Sequence, residues 1–250
     1  MNRLPQVYWD KTNISFDFEK PSSTDYTRLI INKYIPKTDN GSVIEIGCYP
    51  GRYLSIFGDL GFALHGIDLT ARTLETKLNL ETNGYKVGEF ERKDFLTMDK
   101  TKKYSIVTSF GFIEHFENYK EIIDRHAALV VDGGYIVIGA PNFRHGIQYV
   151  FHSLFNNRSL KMHVLESMNP EIWKEQLRNN NFEILFAGYC GGPHFWMDGN
   201  QTRMQRFFGL QVLRLVRMIK ILFFWINFNN LNSKYLSCDF IVIGISPVQQ

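Results

Sequence analysis

The sequence predicts an α/β fold in which a parallel sheet is covered by helices on both faces. Three observations carry that prediction. Between Ser42 and Asn142, short apolar runs alternate with segments of helical period. The runs are apolar at successive positions, as strands buried on both faces must be. The first run, Val43 to Ile46, meets Gly47, and Gly51 follows four residues later, the pattern of a strand entering a glycine turn before a helix.

The elements follow in order. Residues 1–24 read as an N-terminal cap segment, rich in aromatics (Tyr8, Trp9, Phe16, Phe18). "SSTDYTRLIINKYI" reads as a helix capped by Ser22, Ser23 or Thr24 and stopped by Pro36. Ser42–Ile46 is strand one, residues 51–60 a helix, and "GFALHGIDL" (61–69) strand two. Residues 71–84 form a helix ended by Asn83-Gly84. A short third strand lies within 86–95, and "YSIVTSF" (104–110) is strand four. A helix over 119–129 and the turn "DGG" (132–134) lead into strand five, "YIVIGAPN" (135–142). Residues 143–168 break the rhythm and read as an irregular insertion that covers the substrate. A helix over 169–181 carries Pro170 at its first position. Residues 182–190 and 238–247 are the last two strands, and 191–234 is an insertion between them with a long helix.

Composition agrees with a single domain over 1–250. The 250 residues are 44% hydrophobic and 21% charged, enough for a sizeable core. The net charge of +3 is modest for a dedicated nucleic-acid binder, and no nucleic-acid partner is expected. Cys48, Cys190 and Cys238 form no Cys-x-x-Cys or Cys/His cluster, so neither a disulfide framework nor a metal site is expected. The start lacks the apolar core of a signal peptide, and a cytoplasmic location is expected.

The glycine turn points to an adenosine-containing cofactor. Gly47 permits the tight turn, Gly51 lets a helix begin close by, and the helix amino terminus offers free N–H groups. Asp68 stands at the tip of the next strand, where a carboxylate accepts the ribose hydroxyls. A nicotinamide dinucleotide needs Gly-x-Gly-x-x-Gly, and Tyr49 and Arg52 occupy its second and third glycine positions. S-adenosylmethionine carries no diphosphate and asks for fewer glycines.

With these residues in view, the sequence resembles the class I S-adenosylmethionine-dependent methyltransferases. "EIGCYPGRYL" is similar to their first motif, with Tyr49 in place of the middle glycine. "GIDL", "KDFLTMD", "SFGFIEHF" and "LVVDGGYIVIGAPN" match later motifs in family order. "SFGFIEHF" resembles the subgroup that includes quinone-biosynthesis and other small-molecule methyltransferases. The resemblance implies a Rossmann-like seven-stranded sheet, mostly parallel, with an antiparallel last strand between strands five and six. It implies S-adenosyl-L-methionine as cofactor. Glu45, Gly47, Cys48, Tyr49 and Gly51 would surround its methionine part. Asp68 and Leu69 would bind its ribose, and Asp94 and Phe95 its adenine. Ser109, Phe110 and Gly111 would floor the site near the sulfonium.

A methyl on a sulfonium is already activated, so the protein must align the acceptor and exclude water. A hydroxyl acceptor also needs a general base, and the candidates are His115, His145 and His163. Strand four ends in "SFGF" rather than the Asn/Asp-Pro-Pro-aromatic segment of enzymes that methylate base amino groups. The expected acceptor is therefore an oxygen of a small or lipid-linked molecule. A nicotinamide oxidoreductase and a non-catalytic cofactor-binding module are the alternatives. One further signal lies in the insertion helix, 203–228. Arg203, Arg206, Arg214, Arg217 and Lys220 form one stripe beside bulky apolar residues. This suits a lid, a homodimer face or peripheral contact with anionic lipid.

Overall fold

The computed structural model describes residues 18–99, 101–197, 201–223, 225–226, 228 and 231–248. Most of the expected N-terminal cap (1–17), and residues 224 and 227 of the expected insertion helix, lie outside the described residues.

Helix α1 (Tyr26–Tyr34) is capped by Asp25, whose carboxylate accepts the Thr27 and Arg28 N–H groups at 2.9 and 3.2 Å. Asp25, rather than Ser22, Ser23 or Thr24, holds the cap, and its charge also suits the positive end of the helix. Then come β1 (Ser42–Ile46), α2 (Leu54–Asp59), β2 (Ala63–Asp68), α3 (Thr73–Thr82) and β3 (Val87–Arg92). They are followed by β4 (Tyr104–Phe110), α4 (Tyr119–Ala127) and β5 (Val130–Pro141). The chain closes with α5 (Gly146–Phe155), α6 (Asn157–Met162), α7 (Pro170–Asn179), β6 (Glu183–Cys190), α8 (Arg203–Leu222) and β7 (Asp239–Ile245).

The seven strands form one sheet in the order β3-β2-β1-β4-β5-β7-β6. Six run parallel, and β7 lies antiparallel between β5 and β6. The expected sheet and its antiparallel member are therefore present. Strand side chains alternate between two cores. Val43, Ile106, Val137 and Ile241 pack beneath α1, α2 and α3. Ile44, Val107, Ile138 and Phe240 pack with Ile122 of α4 and Trp173 of α7. Each such fully buried side chain contributes about 1.5–3 kcal/mol. Because β2 and β4 flank β1, the connections reverse direction there, and a crevice opens beyond the strand tips.

The structure corrects three boundaries. Helix α2 begins at Leu54 rather than Gly51. Arg52 therefore lies in the turn, where its guanidinium bonds Asp25 at 3.1 Å. Strand β5 begins at Val130, and "DGG" is an irregularity inside it rather than a turn before it. The β4–β5 register jumps from Tyr104–Val130 to Ile106–Tyr135, and a Cβ on Gly134 would lie 2.8 Å from the Ser105 carbonyl oxygen. Residues 143–168 are largely helical, not irregular. Helix α5 escapes the period test because Tyr149, Val150 and Leu154 face outward while Gln148 and His152 are buried.

Candidate functional site

Two adjoining cavities occupy the crevice beyond the tips of β1 and β4. The first, about 160 Å³, is built by the turns that follow β1, β2, β3 and β4. Gly47, Tyr49, Asp68, Leu69, Asp94, Phe95, Phe110 and Gly111 all line it, as the sequence reading expects. Lys93, Leu96, Phe112 and Phe116 line it too, and no sequence pattern singled them out.

Each of these residues is placed for a local reason. Gly47 has φ +75°, and a Cβ there would stand 3.0 Å from the Phe112 ring. The Tyr49 N–H donates to Asp68 Oδ2 at 3.1 Å, and the Thr70 N–H donates to Oδ1 at 2.9 Å. The β1 turn is thereby tied to the tip of β2, which holds the Asp68 carboxylate at the cavity wall. The Tyr49 ring lies beneath the Arg72 guanidinium, 4.7 Å from its carbon, so it is held at the rim. Asp94 caps a single 3₁₀ turn by accepting the Leu96 N–H at 2.9 Å, and that turn presents Phe95 as one wall. A Cβ on Gly111 would meet nothing closer than Glu114 Oε1 at 3.7 Å, so the space above this backbone is open cavity. The ribose-type acceptor, the aromatic wall and the bare backbone floor suit S-adenosylmethionine.

Four expected cofactor residues stand behind this wall. The Cys48 Sγ lies 2.6 Å from where a Cβ on Gly66 would be, so it packs against β2. A Cβ on Gly51 would meet the Thr76 methyl at 2.7 Å, so that glycine serves the approach of α3. Glu45 is buried, its carboxyl pushed well up by desolvation and then by the Asp68 charge, with Oε2 unpartnered. Ser109 is buried, and its hydroxyl makes no hydrogen bond.

The second cavity, about 390 Å³, shares Phe110, Gly111 and His115 with the first. Phe143, Trp196 and Phe240 give it aromatic walls. Two carboxyls line it, in opposite circumstances. Asp239 accepts from the Tyr26 hydroxyl and from the Cys238 thiol, so its burial is compensated. Glu114 is fully buried, and neither of its oxygens has a hydrogen-bond partner among the described residues. Desolvation raises its carboxyl to about 8.

His115 and His163 stand beside Glu114. One ligand-type atom from each of the three lies within 4.8 Å of the others, and the imidazole centroids are 4.4 Å apart. His115 Nδ1 donates to the Met162 carbonyl and His163 Nδ1 to the Ser159 carbonyl. Burial lowers His115 to about 3, with the neighbouring His163 as the next cause, and lowers His163 to about 4. Protons in this cluster therefore settle on Glu114. The donor set is also one that a divalent cation takes; sequence spacing gave no sign of it. His145 lines neither cavity and occupies the position before α5. Sequence reasoning missed Glu114, although it precedes His115 directly. Nothing in a sequence marks which carboxylate will be buried without a partner.

Comparison with known proteins fits this geometry. The protein is 27% identical over 146 residues to a ubiquinone biosynthesis O-methyltransferase of Nitrosomonas europaea, over 56% of this chain and 60% of that relative. The chain thus spans less than two thirds of that relative's length. Among solved structures, a methyltransferase-fold protein of Bacillus halodurans has TM-score 0.62 at 17% identity, covering 88% of this chain and 99% of that one. A methyltransferase of Archaeoglobus fulgidus has TM-score 0.55 at 18% identity, covering 88% and 92%. At these identities the structural likeness speaks to fold alone. A family model described as a methyltransferase domain matches residues 24–186, which hold the whole lining of the first cavity and most of the second's, though not Trp196, Asp239, Phe240 or Ile241. The chain belongs to the methyltransferase domain family.

Proposed function

We propose that the protein is an S-adenosylmethionine-dependent methyltransferase that methylates an oxygen of a small, largely apolar acceptor held in the second cavity. The observation that carries this reading is Glu114, a buried carboxyl with no partner in a cavity that adjoins the cofactor-type cavity through Gly111. S-adenosylmethionine supplies an activated methyl group. Asp68 bonds the ribose hydroxyls, Phe95 flanks the adenine, and the aromatic walls exclude water. Glu114 takes the acceptor's hydroxyl proton as its oxygen is methylated. Its proton affinity, far above that of either histidine, makes it the better base near neutral pH. The name of the Nitrosomonas relative supports an oxygen acceptor.

The test is incubation with methyl-labelled S-adenosylmethionine and a panel of phenols, alcohols and amines. Label is expected on phenolic or alcoholic oxygen. Transfer confined to nitrogen acceptors would overturn the assignment of Glu114.

A further inference from the structure

The surface formed by α5 and α8 exposes a long run of large apolar side chains. Helix α8 buries only Gly209, against Met197 and Phe155. At about 100° per residue, the side opposite Gly209 carries Phe207 and Met218, with Leu215 and Leu222 beside them. All four are more than half exposed. Arg203, Arg206, Arg214 and Arg217 are exposed along one flank of this face. Helix α5 continues the apolar surface with Val150 and Leu154, 56% and 58% exposed, while Gln148 and His152 are buried beside Phe151. The Gln205 side chain donates to the Leu154 carbonyl and joins the two helices. A soluble face would carry the reverse pattern, polar outside and apolar inside.

Charge identifies what covers this face. Neither 142–165 nor 199–238 contains an Asp or Glu, while 199–238 alone carries six Lys and Arg. The chain's whole net charge is +3, so the remainder is net negative. A second copy seated here by two-fold symmetry would set cations against cations with no acid between them. An anionic bilayer meets both features, with phosphates against the arginine flank and acyl chains against the apolar face. No helix among the described residues is long and apolar enough to cross a membrane, so α8 would lie on the surface rather than span it.

We infer that the α5–α8 face docks on anionic lipid bilayers. The inference does not depend on the acceptor's identity, but its position has a consequence for the second cavity. Trp196 lines that cavity, and the adjacent Met197 packs on Gly209 of α8. Met197 and the thickness of α8, about 10 Å, therefore separate the cavity wall from a bilayer on the far face of the helix.

Sedimentation with vesicles tests this directly. The protein should pellet with phosphatidylglycerol–phosphatidylcholine vesicles and stay in solution with phosphatidylcholine alone. Arg206→Gln, Arg214→Gln and Arg217→Gln combined should weaken binding roughly a hundredfold, about fivefold for each cation. Phe207→Ser with Met218→Ser should weaken it roughly tenfold or more. Unfolding midpoints close to that of the parent protein confirm that both variants are folded. The inference is overturned if anionic vesicles leave the protein in solution, or if the triple variant binds them as well as the parent does. It is equally overturned if analytical ultracentrifugation finds a dimer that Phe207→Ser with Met218→Ser dissolves.

Discussion

The two cavities adjoin at Gly111 yet are assembled in opposite ways. The first is made of short turns, each directly following its own strand, so neighbours in sequence are neighbours in the site. The second draws Glu114 from the turn after β4, His163 from the end of α6, Trp196 from the segment before α8, and Asp239 from β7. The first cavity's carboxylate, Asp68, is satisfied by backbone N–H groups. The second cavity's Glu114 carboxyl has no hydrogen-bond partner among the described residues. One cavity is a preformed cradle, and the other holds an unmet polar demand that an acceptor hydroxyl would meet. On the proposed reading, binding belongs to the first and proton transfer to the second.

That division is open to experiment, and the largest effect is expected at Glu114. Glu114→Gln keeps shape and removes the base, so kcat should fall roughly 10²- to 10⁴-fold with cofactor affinity within about twofold of the parent. A parallel loss of cofactor binding would merge the two roles. In the parent enzyme, kcat/KM should rise with pH through about 8 as Glu114 ionises, and the Gln variant should lose that limb.

Asp68→Ala should weaken S-adenosylhomocysteine binding by roughly a hundredfold in calorimetry, through the lost charged hydrogen bonds and the loosened Tyr49 turn. Unchanged affinity would falsify the ribose assignment.

Stability should report the second cavity's buried groups. Burial holds His115 and His163 neutral, at about 3 and 4, below the ordinary histidine value. The unfolded chain therefore binds more protons than the folded one as pH drops below about 6.5. The stability present above that pH is lost on acidification through about 4, on the order of 3 kcal/mol per histidine. Glu114 acts in the other direction. Its raised carboxyl contributes stability below about 4.5 that is lost as pH rises through about 8. Thermal midpoints against pH should show both limbs, and Glu114→Gln should flatten only the alkaline one. The smallest effect is expected at His145. It lies outside both cavities, so His145→Ala should leave kcat within about twofold and stability within about 0.5 kcal/mol.

How much could be read beforehand follows the same division. The strand–turn–helix rhythm, Gly47, Asp68 and Asp94-Phe95 were legible because a βα turn places its residues by local rules. Glu45, Cys48, Gly51 and Ser109 share those motifs but stand behind the wall. Which face of a turn looks into a cavity depends on partners such as Thr76 and Gly66. Helix α5 escapes the helical-period test because Gln148 and His152 are buried beside Phe151 while Tyr149, Val150 and Leu154 are exposed.

By itself the sequence determined the order of the strands, their burial on both faces and the chemistry at the tips of β1, β2 and β3. Those depend on hydrophobic period and turn geometry, which act over a few residues. Only the tertiary structure decided that Glu114, His115 and His163 meet across 48 residues of chain. It also decided that Asp239 finds the Tyr26 hydroxyl while Glu114 finds no partner. Desolvation and partner supply are properties of the packed interior, and no local pattern of residues encodes them.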